Sequence, residues 1–205
     1  MQLKFTSNVE QLQKRLNLIA TSQLPFVVSK ALNATAVMAK AAVQKHFQDV
    51  LDRPTPFTQN AVTIRYATKS NLTAFVLVKD KQAAYLKRQE AGGVRTPTNT
   101  SGSGQKSYLM PLKANIDLNQ YGNLPRNITK SLKGRKDVFA GTVNGHGGFF
   151  QRLPDGKLKM LIAFENTSTY KPVLGFKETV NKVAESTLNG NFKEAWATAL
   201  GSFTG

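Results

Sequence analysis

Between residues 24 and 51 the chain places Val28, Leu32, Thr35, Ala39, Val43, Phe47 and Val50 at spacings of three and four, which is one face of an α-helix. At 1.5 Å per residue such a helix is about 40 Å long. Within a chain of 205 residues such a helix is expected to be the spine of the domain. Pro25 behind Ser22 gives it a start, and Pro54 and Pro56 end the helical region. Its other face carries the small residues Ala31, Ala34 and Ala41 and can approach neighbours closely. A shorter helix is expected over residues 7–20, with Ser7 as N-cap and Glu10 completing a capping box.

The period then changes. Residues 62–67 and 72–79 are rich in β-branched and aromatic side chains, and the break Thr68-Lys-Ser-Asn71 reads as a hairpin turn. Residues 82–91 form a short helix closed by Gly92 and Gly93. Residues 94–107 are almost all Thr, Ser, Gly, Asn and Pro and are expected to be a flexible arm or loop. A short helix follows Pro125 and stops at Gly134. Strands are expected at 138–144 and 149–153 around a Gly145–Gly148 turn, and a third at 158–165 behind the strong hairpin signal Pro154-Asp-Gly156. After a loop at 166–172, Phe176, Val180, Val183 and Leu188 begin a C-terminal helical region, broken at Gly190 and resumed through Phe192, Trp196 and Leu200. The fold class is α+β: one domain over residues 1–205, with a long N-terminal helix packed on an antiparallel sheet and a helical C-terminus. Val28, Leu32, Val43, Phe47, Val138, Val143, Leu161 and Ile162 are the expected shared core.

Charge is unevenly spread. The formal net charge is +16; residues 61–160 carry 17 bases and 5 acids, while the two flanks contribute little. Arg126, Lys130, Lys133, Arg135 and Lys136 form the densest run, with no acid before Asp137. Such a run faces phosphate or an acidic partner, or is a solvated surface. The aromatics are not interleaved with the bases as a stacking platform requires, so contact with nucleic acid would be tolerant of base sequence.

Other chemistry is excluded residue by residue. The chain has no cysteine, which removes disulfides, thiolate zinc sites and iron–sulfur clusters and fits intracellular synthesis. His46 and His146 have no orienting carboxylate nearby in sequence, and Asp49 and Asp52 lack further ligands. Gly104-Gln-Lys-Ser107 lacks the first glycine of a phosphate loop, since residue 99 is Asn, and Gly145-x-Gly147 lacks a third glycine, since residue 150 is Phe. No catalytic residue, cofactor or metal is expected. The first residues have no apolar leader core, and Lys30, Lys40 and Lys45 interrupt the longest apolar stretches short of the roughly 20 residues a bilayer needs, so no membrane partner is expected. The five Asn-x-Ser/Thr triplets, at Asn33, Asn71, Asn99, Asn127 and Asn166, matter only in a secreted chain.

The helix Pro25-Phe-Val-Val-Ser-Lys-Ala-Leu-Asn-Ala-Thr-Ala36, the basic middle, the phrase Phe149-Phe-Gln-Arg-Leu-Pro-Asp-Gly-Lys-Leu-Lys-Met160, the Tyr170-Lys-Pro172 loop and a closing helix together resemble the minor tail protein Z, or tail-completion, family of tailed bacteriophages. In wording the resemblance covers residues 25–36 and 147–176. It implies a non-enzymatic virion protein of the tail or neck, made in the host cytoplasm. It further implies a homo-oligomeric ring, six-fold or twelve-fold, that completes the tail and joins it to the head. The implied neighbours are the tail terminator or tail tube protein on one side, the head connector or stopper on the other, and packaged DNA in the lumen. A ring around DNA gains from positive charge facing its lumen. The alternative from a different class is a monomeric, sequence-nonspecific nucleic-acid-binding accessory protein, and native mass separates the two.

Overall fold

The computed structural model describes residues 23–96 and 107–201, together with Gln13, Lys14, Asn17 and Thr21. Most of the helix expected at 7–20, and residues 97–106 of the expected arm, lie outside the described residues. The fold is α+β, and the chain divides into two compact units. One holds the residues up to Asp49, Pro56–Ala83 and the residues from Gly175 onward; the other holds Val50–Thr55 and Ala84–Leu174.

In the first unit, helix α1 (Leu24–Val50) runs without interruption. Its buried residues include Val27, Ala31, Ala39, Val43 and Phe47, whereas Val28 and Leu32 are only half-buried. The stripe read from the sequence is therefore right from Thr35 to Phe47, only half-buried at its last member, Val50, and one residue out of phase at its N-terminal end. The cause is the partner: Val27 and Ala31 cluster with Ala195 and Ala199 of helix α5 (Phe176–Gly201), flanked by Phe192 and Trp196. Small residues on both helices allow an approach that a Val28–Leu32 ridge would prevent. By length and composition α1 could also cross a membrane, despite its three lysines; the core helix of a water-soluble protein passes the same test.

Helix α5 continues through Gly190 instead of breaking there. A helical glycine costs about 1 kcal/mol relative to alanine. Next to it, buried Asn191 donates from Nδ2 to Thr35 Oγ1 at 2.8 Å, and Phe192 stacks on Trp196 with centroids 6.3 Å apart. Ordering these groups outweighs the glycine. Helix α2 (Pro56–Gln59) precedes an antiparallel pair, β1 (Val62–Arg65) and β2 (Phe75–Val78), in register Val62 with Val78. Thr68 and Asn71 close the connection with reciprocal backbone bonds. Asn33 of α1 clamps the strand exit: its Oδ1 accepts from Ala67 N at 2.7 Å and its Nδ2 donates to Ala67 O at 3.0 Å. The long helix is thus tied to an antiparallel sheet within its own unit. Helix α3 (Asp80–Ala91) leads out of this unit and stops at Gly92 and Gly93, both at positive φ.

The second unit is built on a four-stranded antiparallel sheet in the order β4-β7-β6-β5, from β4 (Tyr108–Pro111), β5 (Val138–Val143), β6 (His146–Arg152) and β7 (Leu158–Glu165). A second pair joins β3 (Gly93–Arg95) to β8 (Ser168–Tyr170). Val94 and Arg95 therefore belong to a strand instead of an arm, and the 166–172 loop contains one. The core is Leu132, Val138, Phe149, Leu161 and Ile162, with Leu132 supplied by helix α4 (Ile128–Lys133). Within this unit the meander finds its helical cover in α4. Val143, at the end of β5, is only half-buried.

The turn at 145–148 is also corrected. Val143 pairs with His146, leaving the two-residue turn Asn144-Gly145, both at positive φ. Gly147 and Gly148 lie inside β6. Gly148 is required there because a Cβ would collide with the carbonyl oxygen of Ile162 on the neighbouring strand. The Pro154-Asp155-Gly156 turn forms as read, with Gly156 N donating to Leu153 O at 3.0 Å and Leu153 N to Lys157 O at 2.9 Å.

Candidate functional site

The basic run is positioned by one side chain. Leu132 is buried in the core and fixes the rotation of α4, whose six residues are too few to be stable alone. At about 100° per residue, Lys130 lies on the opposite side of the helix from Leu132. The helix begins with Ile128 N donating to Pro125 O at 3.1 Å; Asn127 occupies the N-cap without a side-chain bond. It ends at Gly134, as expected, whose N–H is shared between Lys130 O and Ser131 O.

Arg126, Lys130, Lys133, Arg135 and Lys136 are all exposed. Arg135, however, is committed internally. Its Nε and Nη2 donate to the two carboxylate oxygens of Asp137 at 3.1 and 2.6 Å, and Gln151 Nε2 donates to Asp137 Oδ2 at 2.9 Å. This network ties the residue before β5 to β6. The Arg135 guanidinium, then the Gln151 amide, holds the Asp137 carboxyl down to about 2. Asp137 has an ordinary value near 3.9 when unfolded, so its contribution to stability is fully present above about pH 4 to 5 and is lost as pH falls through about 2. Asp137→Asn is therefore expected to be less stable than wild type to urea at neutral pH, with the gap closing toward about pH 2. A gap that stays constant across that range would show that the carboxylate is not held by its charge.

Arg126, Lys130, Lys133 and Lys136 have no carboxylate within 4 Å among the described residues, so four like charges share this surface. Two clefts flank α4. One, about 730 Å³, has an apolar floor and Arg126, Thr129 and Lys133 along its helical rim. The other, about 400 Å³, is more polar and is lined by Lys113, Asn115, Asp117, Ser131, Arg135 and Lys159 among others. Tight pairing of Arg135 with Asp137, and the presence of Asp117, leave this second cleft with little net charge.

The remaining sequence candidates are not brought together. His46 is half-buried late in α1, and His146 is exposed at the start of β6. Asp52 lies beyond the end of α1 and is bridged by Arg53 at 2.9 Å. Gly104, Gln105 and Lys106 lie outside the described residues. Among the described residues, no three His, Cys, Asp or Glu side chains could hold a metal ion.

Sequence analysis missed the pairing of bases with aromatics. Arg65 lies over Phe75 at 5.5 Å and Lys69 over Phe26 at 5.2 Å in the first unit; Arg152 lies over Phe139 at 4.3 Å in the second. Arg65 and Phe75 are directly opposed across the β1–β2 hairpin, and Arg152 is two residues from Phe150, the cross-strand partner of Phe139. In each pair the cation covers a ring face, so these contacts are internal to the fold. Comparisons with protein-family models, curated proteins and solved structures return no match to this chain.

Proposed function

We propose that the chain is a structural virion protein of a tailed bacteriophage. It forms a ring at the head-proximal end of the tail, completes the tail and joins it to the head connector, with DNA passing through. Two things support this reading: the wording of residues 25–36 and 147–176, which resembles the tail-completion family, and the surface around α4. The observation that carries it is the set Arg126, Lys130, Lys133 and Lys136, exposed and unpaired by any described acid, on and immediately beside a helix whose rotation is fixed by buried Leu132. Mutual repulsion among such charges is relieved by counter-charge in an assembly, and phosphate or an acidic neighbour supplies it. The role is joining and sealing and uses no catalytic group.

The test is loss of the chain from a producing phage. Filled heads and finished tails should accumulate unjoined, and adding the purified protein to the mixed extract should restore infectious particles. Joined, infectious particles made without it would overturn the reading. A strict monomer absent from purified virions that binds duplex DNA regardless of sequence would establish the accessory nucleic-acid-binding role instead.

A further inference from the structure

We propose that the apolar cleft beside α4 docks a short extended segment of a partner protein in which large apolar side chains are flanked by carboxylates. This rests on the reading of that surface as an assembly face and narrows it: for Arg126 and Lys133 the counter-charge is an acidic neighbour.

The cleft, about 730 Å³, is an unfinished part of the second unit's core. Leu109, Leu124, Ile128 and Phe164 pack on that core yet stay only part-buried. The reason is the length of α4, which at six residues covers only about 9 Å of the sheet face. Leu109, Phe164, Phe149 and Ala140 come from β4, β7, β6 and β5, so the floor crosses all four strands. Three inter-strand spacings make it about 14 Å long, the span of about four extended residues.

Charge selects the occupant. Arg126 and Lys133 are the charged residues of the lining, both positive, one preceding α4 and one ending it. Cations beside an apolar floor attract carboxylates more strongly than cations in open water and set the register of what binds. Their separation along the helix suits two carboxylates on one chain better than the single head group of a fatty acid. A nucleic-acid strand would need a free aromatic face to stack on. Here Phe149 is buried and meets Phe164 edge to face, with centroids 5.4 Å apart at 86°.

The experiment is selection of random seven-residue displayed peptides on the full-length chain, with Arg126→Glu/Lys133→Glu and Ala140→Trp as comparison variants. Residues 126, 133 and 140 are exposed, so both variants should keep the wild-type thermal midpoint. Enriched peptides should carry aromatic or branched aliphatic residues with Asp or Glu on both sides. The best of them, synthesised with a fluorescein label, should bind each variant at least tenfold more weakly and should shift the backbone amides of Ile128 and Ala140 in the wild-type chain. Enrichment no greater than on Ala140→Trp, enrichment of basic peptides, or affinity unchanged in the charge-reversed variant would overturn the proposal. So would duplex DNA or dodecanoate shifting those amides where no peptide does. Binding is read on the isolated chain, so a protein that docks such peptides but is dispensable for joining heads to tails would fail only the earlier reading.

Discussion

Phe47→Ala is expected to lower the unfolding free energy by about 3 to 5 kcal/mol, the cost of a large-to-small change in a core that relaxes only partly. Phe47 has 0% relative exposure and is the bulkiest of the fully buried side chains. It ends the buried stripe that runs through Val27, Ala31, Ala39 and Val43, so its removal leaves a void at the end of a rigid rod. Collapse onto the void would require α1 to move, and the Asn33–Ala67 clamp and the Asn191–Thr35 bond both oppose that. The matched control is Val37→Ala. Val37 is 48% exposed on the same helix, and surface changes of this kind stay within about 0.5 kcal/mol. Chemical denaturation of both variants decides the matter: a near-neutral Phe47→Ala would show that this face does not hold the unit together.

The stripe ending at Phe47 also shows how far the sequence could be read. A helix of 27 residues announces itself by period alone, and so does its C-terminal core face at Val43 and Phe47. The N-terminal part of that face was misjudged because hydrophobicity favours Val28 and Leu32, whereas close packing against Ala195 and Ala199 favours Val27 and Ala31. Period cannot see a partner helix some 160 residues away. The same limit explains Gly190, where the local preference to break is overruled by packing on either side. At residues 144–148 the error was local: a cluster of three glycines drew the turn onto itself, although Asn144-Gly145 is the stronger two-residue signal. The short strands β3, β4 and β8 have three or four residues each and little patterning to betray them.

For the site, density of charge was legible and its distribution was not. Arg135 and Asp137 are two residues apart, a spacing that faces their side chains apart in a helix, and they pair here because the chain has left α4 before β5 begins. The cleft was invisible for a deeper reason. Its floor is one face of four strands, and which residues share that face depends on the register of β4 with β7 and of β6 with β5.

Changing Lys130, Lys133 and Lys136 together to Gln is expected to disable the protein's function while leaving its fold intact. All three are exposed, and Arg135 is retained because removing it would strand Asp137. If the three lysines meet phosphate, contact acts by counterion release. The slope of log affinity against log salt should then fall by about 3, and binding should weaken by a similar factor whatever the base sequence. If they meet protein carboxylates, DNA affinity and its salt slope should hardly change while joining fails. Particle phenotype separates these outcomes. Joined but leaky virions would place the lysines on DNA, and unjoined heads and tails would place them at a protein interface. Heads and tails that join normally and deliver DNA at wild-type efficiency would sink the functional reading of this surface, leaving the lysines as a solvated face whose repulsion the fold tolerates.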